Sequence, residues 1–438
     1  MMIVPNIIMI ILLIAGIISL SRPRLLLYLV ATLPVMTFIE IFFLKEKDYL
    51  KLYIGSIQLN PLDCLLIPLF LLIAYAVVTK KKRMRELYRE PVTIMLIIMF
   101  FWSLIIGYLS YLDGFKIQNV LRNIATQSVM LFSILIPLIE WDDESLLKYF
   151  NYLVGITLLI ITMGVISLLN HNVVITSTGT LRVLGPEEVV VILLAICYLL
   201  FYKKFSRKNV VKMSVVLLYL LLGIALAGFR SGMVALMFIL ALFWIGSKLS
   251  SPKYIWAPLL AVPLFVLIVA AIPKQGLKPG QSIIGDMYLR FEDIFNMQNS
   301  TTEGRLDSWE FGLEILKEHP VIGLGRFPVY SLHLDKSSNA NLIQFDELRR
   351  GAHNMFFEKI IHEGILGLII LLAFIAVVFH KAKKSLSGYP RIAKFLAVYL
   401  AAFLLFSLFN TSFNNPVDRI FFFIPLGFLN ALKDKQVS

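Results

Sequence analysis

The sequence predicts an all-α polytopic membrane protein, and three observations predict it. Of the 438 residues, 58% are hydrophobic and only 16% charged, against roughly 25% charged in an average soluble domain. Apolar runs of about 18 to 22 residues recur along nearly the whole chain, each long enough to cross a hydrocarbon core of roughly 30 Å as a helix. Lysine and arginine gather in the short connectors between those runs, the arrangement that orients membrane spans.

Taken in order, the runs place spans near 3–20, 25–44, 62–79, 91–110, 120–139, 151–169, 187–203, 210–227, 232–247, 254–272, 357–379, 393–412 and 418–432. That is thirteen, or twelve if one terminal run does not cross. The first run has no basic residue before it and no small-residue cleavage site after it, so a retained helix is expected there, not a signal peptide. The expected organisation is 1–272 with about ten spans, a large, partly helical extracytoplasmic loop at 273–356, and 357–438 with two or three spans.

The formal charge of +13 raises nucleic acid as a partner, but its carriers sit where topology needs them. Lys80, Lys81, Lys82, Arg83 and Arg85 form one cluster, Lys203, Lys204, Arg207 and Lys208 another, and Lys381, Lys383 and Lys384 a third. All three fall on one side when the spans alternate, which makes that side cytoplasmic. The connector at 140–144 is acidic and breaks the pattern, but acidic residues carry little weight in the rule. Asp142-Asp143 there imitates a metal-binding pair; a solvated helix start explains it equally. Cys64 and Cys197 both fall inside apolar spans, which supports neither a disulfide framework nor a cysteine metal site.

The segment 273–356 lies opposite the basic clusters and is far longer than ordinary helix connections of roughly 2 to 8 residues. Ser300, Thr301 and Thr302 offer N-caps, and Leu306, Trp309, Leu313 and Leu316 follow at spacings that line one helical face. His319-Pro320 and the glycines Gly323 and Gly325 then end that helix.

His353 and Asn354 stand where this loop re-enters the membrane, at a helix N-terminus. The dipole there disfavours imidazolium and keeps a histidine able to take a proton; a plain helix cap beside headgroups is the alternative. Arg305, in the first turn of the loop helix, opposes the dipole and calls for an anion, either a ligand or Glu303 or Glu310. Arg230 lies in the turn 228–231 on the same face, where snorkelling into headgroups also accounts for it. Arg122 lies at the edge of a span and Arg182 in the loop before Gly185 and Pro186. Glu40, Glu358 and His362 are ionisable at membrane depth, hence functional candidates, although Glu358 and His362 are four apart and suit a simple pair.

Neither a Gly-x-x-x-x-Gly-Lys phosphate loop nor a Gly-x-Gly-x-x-Gly after a strand is present, and no tight His/Cys/Asp cluster has metal spacing. Nucleotide hydrolysis is therefore not expected as the energy source.

Three stretches carry a resemblance: Ala227-Gly228-Phe229-Arg230-Ser231-Gly232; Gly304-Arg305-Leu306-Asp307-Ser308-Trp309 leading to His319-Pro320-Val321-Ile322-Gly323-Leu324-Gly325; and Ala352-His353-Asn354-Met355-Phe356 with Glu363-Gly364-Ile365-Leu366-Gly367. Together they make the chain resemble the O-antigen ligase and polymerase superfamily of bacterial envelope glycosyltransferases. The resemblance implies a GT-C-like, all-helical membrane layout, usually of twelve spans where the apolar runs here give about 12–13 transmembrane helices, with no cofactor and no metal. It further implies transfer of a glycan from undecaprenyl diphosphate on the outer face of the bacterial cytoplasmic membrane. By that resemblance Arg230 and Arg305 bind the donor diphosphate and His353 activates the acceptor hydroxyl; Arg182, Arg122 and Asn354, by their positions, are further candidates for substrate binding. Forked guanidinium donors suit a diphosphate and would stabilise its departing charge. Where family members commonly carry an asparagine near the start of the seventh span, this chain has Pro186-Glu187-Glu188, a departure that bears on Arg182.

The expected activity is a polysaccharide polymerase that moves glycan onto a sugar hydroxyl of a lipid-linked repeat unit. A ligase acting on a lipid core, a protein or a wall polymer differs only in acceptor. A transporter or flippase is the alternative of another class; it calls for paired repeats and broken helices, neither legible in the sequence. Expected partners are the lipid-linked glycan, the bilayer, and the flippase and chain-length regulator of the same pathway, with no nucleic acid.

Overall fold

Helices begin where proline and polar caps allow them. In the computed structural model the described residues are 3–40, 52–54, 57–59, 61–115, 117–170, 174–175, 181–203, 210–247, 309–310, 312–314, 316–325, 354–410 and 415–432. Their helices are α1 (Ile3–Ile18), α2 (Pro23–Ala31), α3 (Leu33–Phe38), α4 (Pro61–Thr79), α5 (Lys81–Leu87), α6 (Pro91–Leu112), α7 (Ile117–Gln127), α8 (Phe132–Leu138), α9 (Asp143–Leu169), α10 (Pro186–Cys197), α11 (Val210–Ala227), α12 (Arg230–Ser247), α13 (Met355–Gly388), α14 (Pro390–Ser407) and α15 (Pro416–Ala431). Six of these start on proline, which has no N–H to leave unpaired in a first turn and a φ already set for helix. Asp142 caps α9: its carboxylate accepts the Ser145 amide at 2.8 Å while the Ser145 hydroxyl accepts the Asp142 amide. Donation from Ser145 holds that carboxyl below the usual range. The acidic pair is thus a helix start.

Among the described residues six helices are long and apolar enough to cross a membrane: α4, α6, α9, α11, α13 and α14. Four shorter apolar helical stretches accompany them, at Ile7–Ile18, Pro23–Phe38, Asn123–Leu138 and Arg230–Ile245. The protein is an all-α polytopic membrane protein. The expected span at 254–272 lies outside the described residues. Two expected connectors contain short antiparallel hairpins that the apolar pattern did not reveal, β1 (Leu52–Ile54) with β2 (Ile57–Leu59) and β3 (Val174–Ile175) with β4 (Leu181–Arg182).

The chain forms two compact units, each assembled from separate stretches. In the first, comprising 1–74, 139–296 and 389–403, α10 is buried on all sides from Val189 to Cys197, as expected of a helix apolar all round. Gly223 of α11 lets the backbone close on it, since a Cβ there would lie 2.6 Å from Ile161 Cδ1 and 2.9 Å from Ile192 Cδ1. Phe150 stacks on Tyr198 at 5.3 Å between centroids and meets Phe395 edge-on at 5.0 Å. Both cysteines are buried free thiols.

The second unit comprises 75–138, 297–388 and 404–438. Gly427 of α15 brings that helix onto α8, where Ile136 Cδ1 is 2.8 Å from the position of a Cβ, and Ser133 donates to the Phe423 carbonyl at 2.6 Å. Two polar contacts lie inside, where a low-dielectric interior favours pairing: Lys381 with Glu90 at 3.2 Å and Asn430 with Thr93 at 3.0 Å.

Candidate active site

In the second unit, α13 opens on a cap made by Asn354, whose side-chain oxygen accepts the amides of Phe356 at 2.9 Å and Phe357 at 3.3 Å. The oxygen of this candidate residue is committed to the helix. His353 comes one residue earlier and lies outside the described residues, as does Arg305. Asn354 supplies a cap of α13, while the two readings of His353, proton acceptor or cap, fall outside the described residues.

Helix α13 is not continuous. At Gly364 the backbone takes φ 62° and ψ −159°, a conformation costly for residues with a Cβ. A break inside an apolar helix frees backbone groups that lipid cannot satisfy, and the turn at 319–325 takes them up. Ile365 N–H donates to the Pro320 carbonyl at 2.9 Å, Leu366 N–H to Val321 at 3.2 Å, and Leu324 N–H to Ile361 at 2.8 Å. Gly323 and Gly364 meet backbone to backbone: a Cβ on Gly323 would lie 2.5 Å from the Ile361 carbonyl oxygen, and one on Gly364 2.5 Å from the Gly323 nitrogen. Gly323, expected only to end the loop helix, therefore also docks it.

The helical residues within 309–318 pack on the same half of α13. Trp309 stacks on Phe357 with centroids 5.0 Å apart and planes 1° from parallel, beside buried Ile361. Leu313, expected on that packed face, is 47% exposed. Gly312 takes its place, and a Cβ there would come within 2.9 Å of Ile361; the helix rolls toward the residue that permits close approach.

Beyond this junction, Glu358 and His362 are both buried on α13. Arg122 belongs to α7, its side chain outside the described part. Sequence reasoning gave no role to Trp102 of α6, whose indole N–H donates to Glu363 Oε2 at 2.7 Å, or to Lys359, which pairs with the same carboxylate. It also missed Arg419, buried on α15 and donating to Gln127 Oε1 at 2.5 Å. An ionisable residue inside an apolar span was the available signal.

In the first unit, Gly228 turns the chain at φ 61° and Arg230 is the first residue of α12, half-buried between buried Phe229 and Ser231. A guanidinium in a first helical turn opposes the dipole, while the unpaired N–H groups of that turn attract an anion. Arg182 pairs with Val174 in the β3–β4 hairpin. Shortly after it, Glu188 accepts the Gly185 amide at 2.7 Å and anchors the start of α10; Glu40 is half-buried just beyond α3. Among the described residues no group of three His, Cys, Asp or Glu side chains could hold a metal ion.

Residues 215–372 match the O-antigen ligase family. Over those residues, about a third of the chain, the protein is similar to the O-antigen ligase family, in line with the resemblance its motifs carry. The family match takes in most of α11, all of α12, the docked turn and the first half of α13, and the three residues to which the resemblance gives chemistry, Arg230, Arg305 and His353, lie within it. Members of this family are glycosyltransferase-like enzymes. Comparison with curated proteins gives no match.

Proposed function

We propose that this protein is a polysaccharide polymerase of the bacterial cytoplasmic membrane, transferring glycan from undecaprenyl diphosphate to a sugar hydroxyl of a lipid-linked repeat unit on the outer face. The observation that carries this reading is the O-antigen ligase match over 215–372, which encloses Arg230, Arg305 and His353. In the reaction the acceptor hydroxyl attacks the anomeric carbon of the donor, the bond from that carbon to the diphosphate oxygen breaks, and the hydroxyl proton passes to His353. Arg230 and Arg305 bind the diphosphate and offset the charge it gains on leaving. Arg182, Arg122 and the Asn354 amide contribute contacts to the glycan or its carrier. The glycosyl diphosphate is itself the activated donor, so no metal or nucleotide enters. The flippase and chain-length regulator of the same pathway are its partners.

A flippase would use broken helices to line a path. Among the described residues the break at Gly364 has its amides paired to Pro320 and Val321, which favours a fixed support over an open conduit.

The test is transfer by purified protein supplied with a lipid-linked repeat unit as both donor and acceptor. A ladder of lengthening lipid-linked glycans is expected. Replacing His353→Ala should lower the rate by roughly 10²- to 10⁴-fold, the usual cost of losing a positioned base, with single repeats left unconsumed. Turnover that needs an added lipid core or protein acceptor would make the enzyme a ligase, and unchanged turnover in His353→Ala would remove the base assignment.

A further inference from the structure

We infer that Glu363 is a positioning residue for transfer: with Trp102 it fixes the half-helix 355–363 that His353 precedes. The inference rests on the proposed role of His353 and adds a residue the resemblance assigns no part.

The half-helix is a separate piece. Asn354 caps it at one end and Gly364 breaks it at the other. Nine residues of helix from Asn354 put Glu363 about 14 Å from the cap. Trp102 stands ten residues before the end of α6 at Leu112, about 15 Å along that helix. An ionisable pair so far inside an apolar span is costly and calls for a reason.

Local helix electrostatics do not supply one. Glu363 sits in the last turn before the break, where carbonyl dipoles repel a carboxylate. Its i, i+4 partner Lys359 precedes it, the less favourable order for such a pair. The side chains are nevertheless 12% and 13% exposed. A second contact, beside the Lys359 pair, comes from another helix: the Trp102 indole, a donor only, gives the carboxylate a charge-assisted hydrogen bond of 2.7 Å. Space for the carboxylate is reserved too, since a Cβ on Gly367 would lie 2.9 Å from Glu363 Oε2. In Glu363-Gly364-Ile365-Leu366-Gly367 the first residue therefore ties to α6, the second breaks the helix and the last makes room. The backbone bonds from Ile365 and Leu366 to the 320–325 turn hold the same junction from the loop side.

A half-helix held at its inner end fixes the direction in which its outer end points. Misplacement of a reacting group by about 1 Å can cost up to a hundredfold in rate. The effect should fall on turnover, because Glu363 lies a helix length away from any substrate contact made beside His353.

The experiment measures kcat and donor KM with purified Trp102→Phe, Glu363→Ala, Glu363→Gln and the double variant Trp102→Phe/Glu363→Ala, alongside His353→Ala. Trp102→Phe keeps the ring and removes the donor; Glu363→Gln keeps an acceptor oxygen. The expected result is a tenfold to hundredfold loss of kcat in Trp102→Phe and Glu363→Ala, roughly the cost of misplacement, with donor KM within about twofold. The double variant should be no slower than the slower single, and Glu363→Gln should recover most of the lost rate. If Glu363→Ala does not fold, Trp102→Phe against Glu363→Gln carries the comparison. Wild-type kcat in Trp102→Phe, additive losses in the double variant, or failure of glutamine to rescue overturns the inference while His353→Ala is still inactive. Full turnover in His353→Ala overturns the underlying site reading, and this inference with it.

Discussion

Asn354 and His353 are neighbours, and the proposed function gives them different duties. The sequence offered both at a helix start, and the structure assigns the cap to Asn354 through the amides of Phe356 and Phe357. Replacing Asn354→Ala should lower stability by about 0.5 to 2 kcal/mol, the cost of a lost N-cap. Asn354→Asp, which also caps, should restore it. His353→Ala should melt near the wild type, with its loss confined to transfer. Thermal unfolding in detergent separates the two, and a His353→Ala protein destabilised as much as Asn354→Ala would return the histidine to a structural role. Side-chain chemistry at this scale was legible where neighbours in sequence decide it: Asp142, read as a helix start, is one, with Ser145 three residues on completing the cap. Trp102 with Glu363, and Arg419 with Gln127, were not legible, because their partners lie 261 and 292 residues away.

Elements were read most accurately where lipid alone sets their length. The expected span 210–227 coincides with α11, and 62–79 and 91–110 fall within about two residues of α4 and α6, an accuracy that continuous apolar runs allow. Hairpins were missed because two or three paired residues leave no period to detect. The break in α13 was missed because glycine inside an apolar run is ordinary; what makes Gly364 special is Gly323, which only the fold brings against it. Two glycines in long helices should therefore respond oppositely to alanine. Gly364→Ala forces a Cβ into a left-handed conformation costing about 1 to 2 kcal/mol and against the Val321 backbone at 2.5 Å, so it should destabilise by at least that amount. Gly155→Ala in α9, with nothing within 4 Å of its Cβ, should stabilise by about 0.4 to 1 kcal/mol. Unfolding midpoints of the two variants decide it, and equal effects would mean the break is not imposed by the fold.

Across the whole molecule, the strongest expectation is which way the chain faces, and it rests on three basic clusters falling on one side. The acidic connector at 140–144 stood against that pattern. Its charges now have a local cause: Asp142 caps α9 and Asp143 and Glu144 occupy the first turn, where the dipole favours carboxylates. Those residues answer to the helix, so the basic clusters keep their weight. The segment 273–356 should then face away from the cytoplasm, as transfer from a lipid carrier on the outer face needs. Substituting Ser337→Cys tests this against little background, since the native thiols Cys64 and Cys197 are both buried. A membrane-impermeant maleimide applied to intact cells should label Ser337→Cys, and should label Lys82→Cys or Lys383→Cys only after the membrane is opened. Both basic-cluster variants also report whether the three clusters share a side, which the orientation requires. If Ser337→Cys reacts only after opening while Lys82→Cys reacts at once, the chain is inverted; Arg305 and His353 would then face the cytoplasm, away from a glycan that has already crossed, and transfer on the outer face would have to be given up.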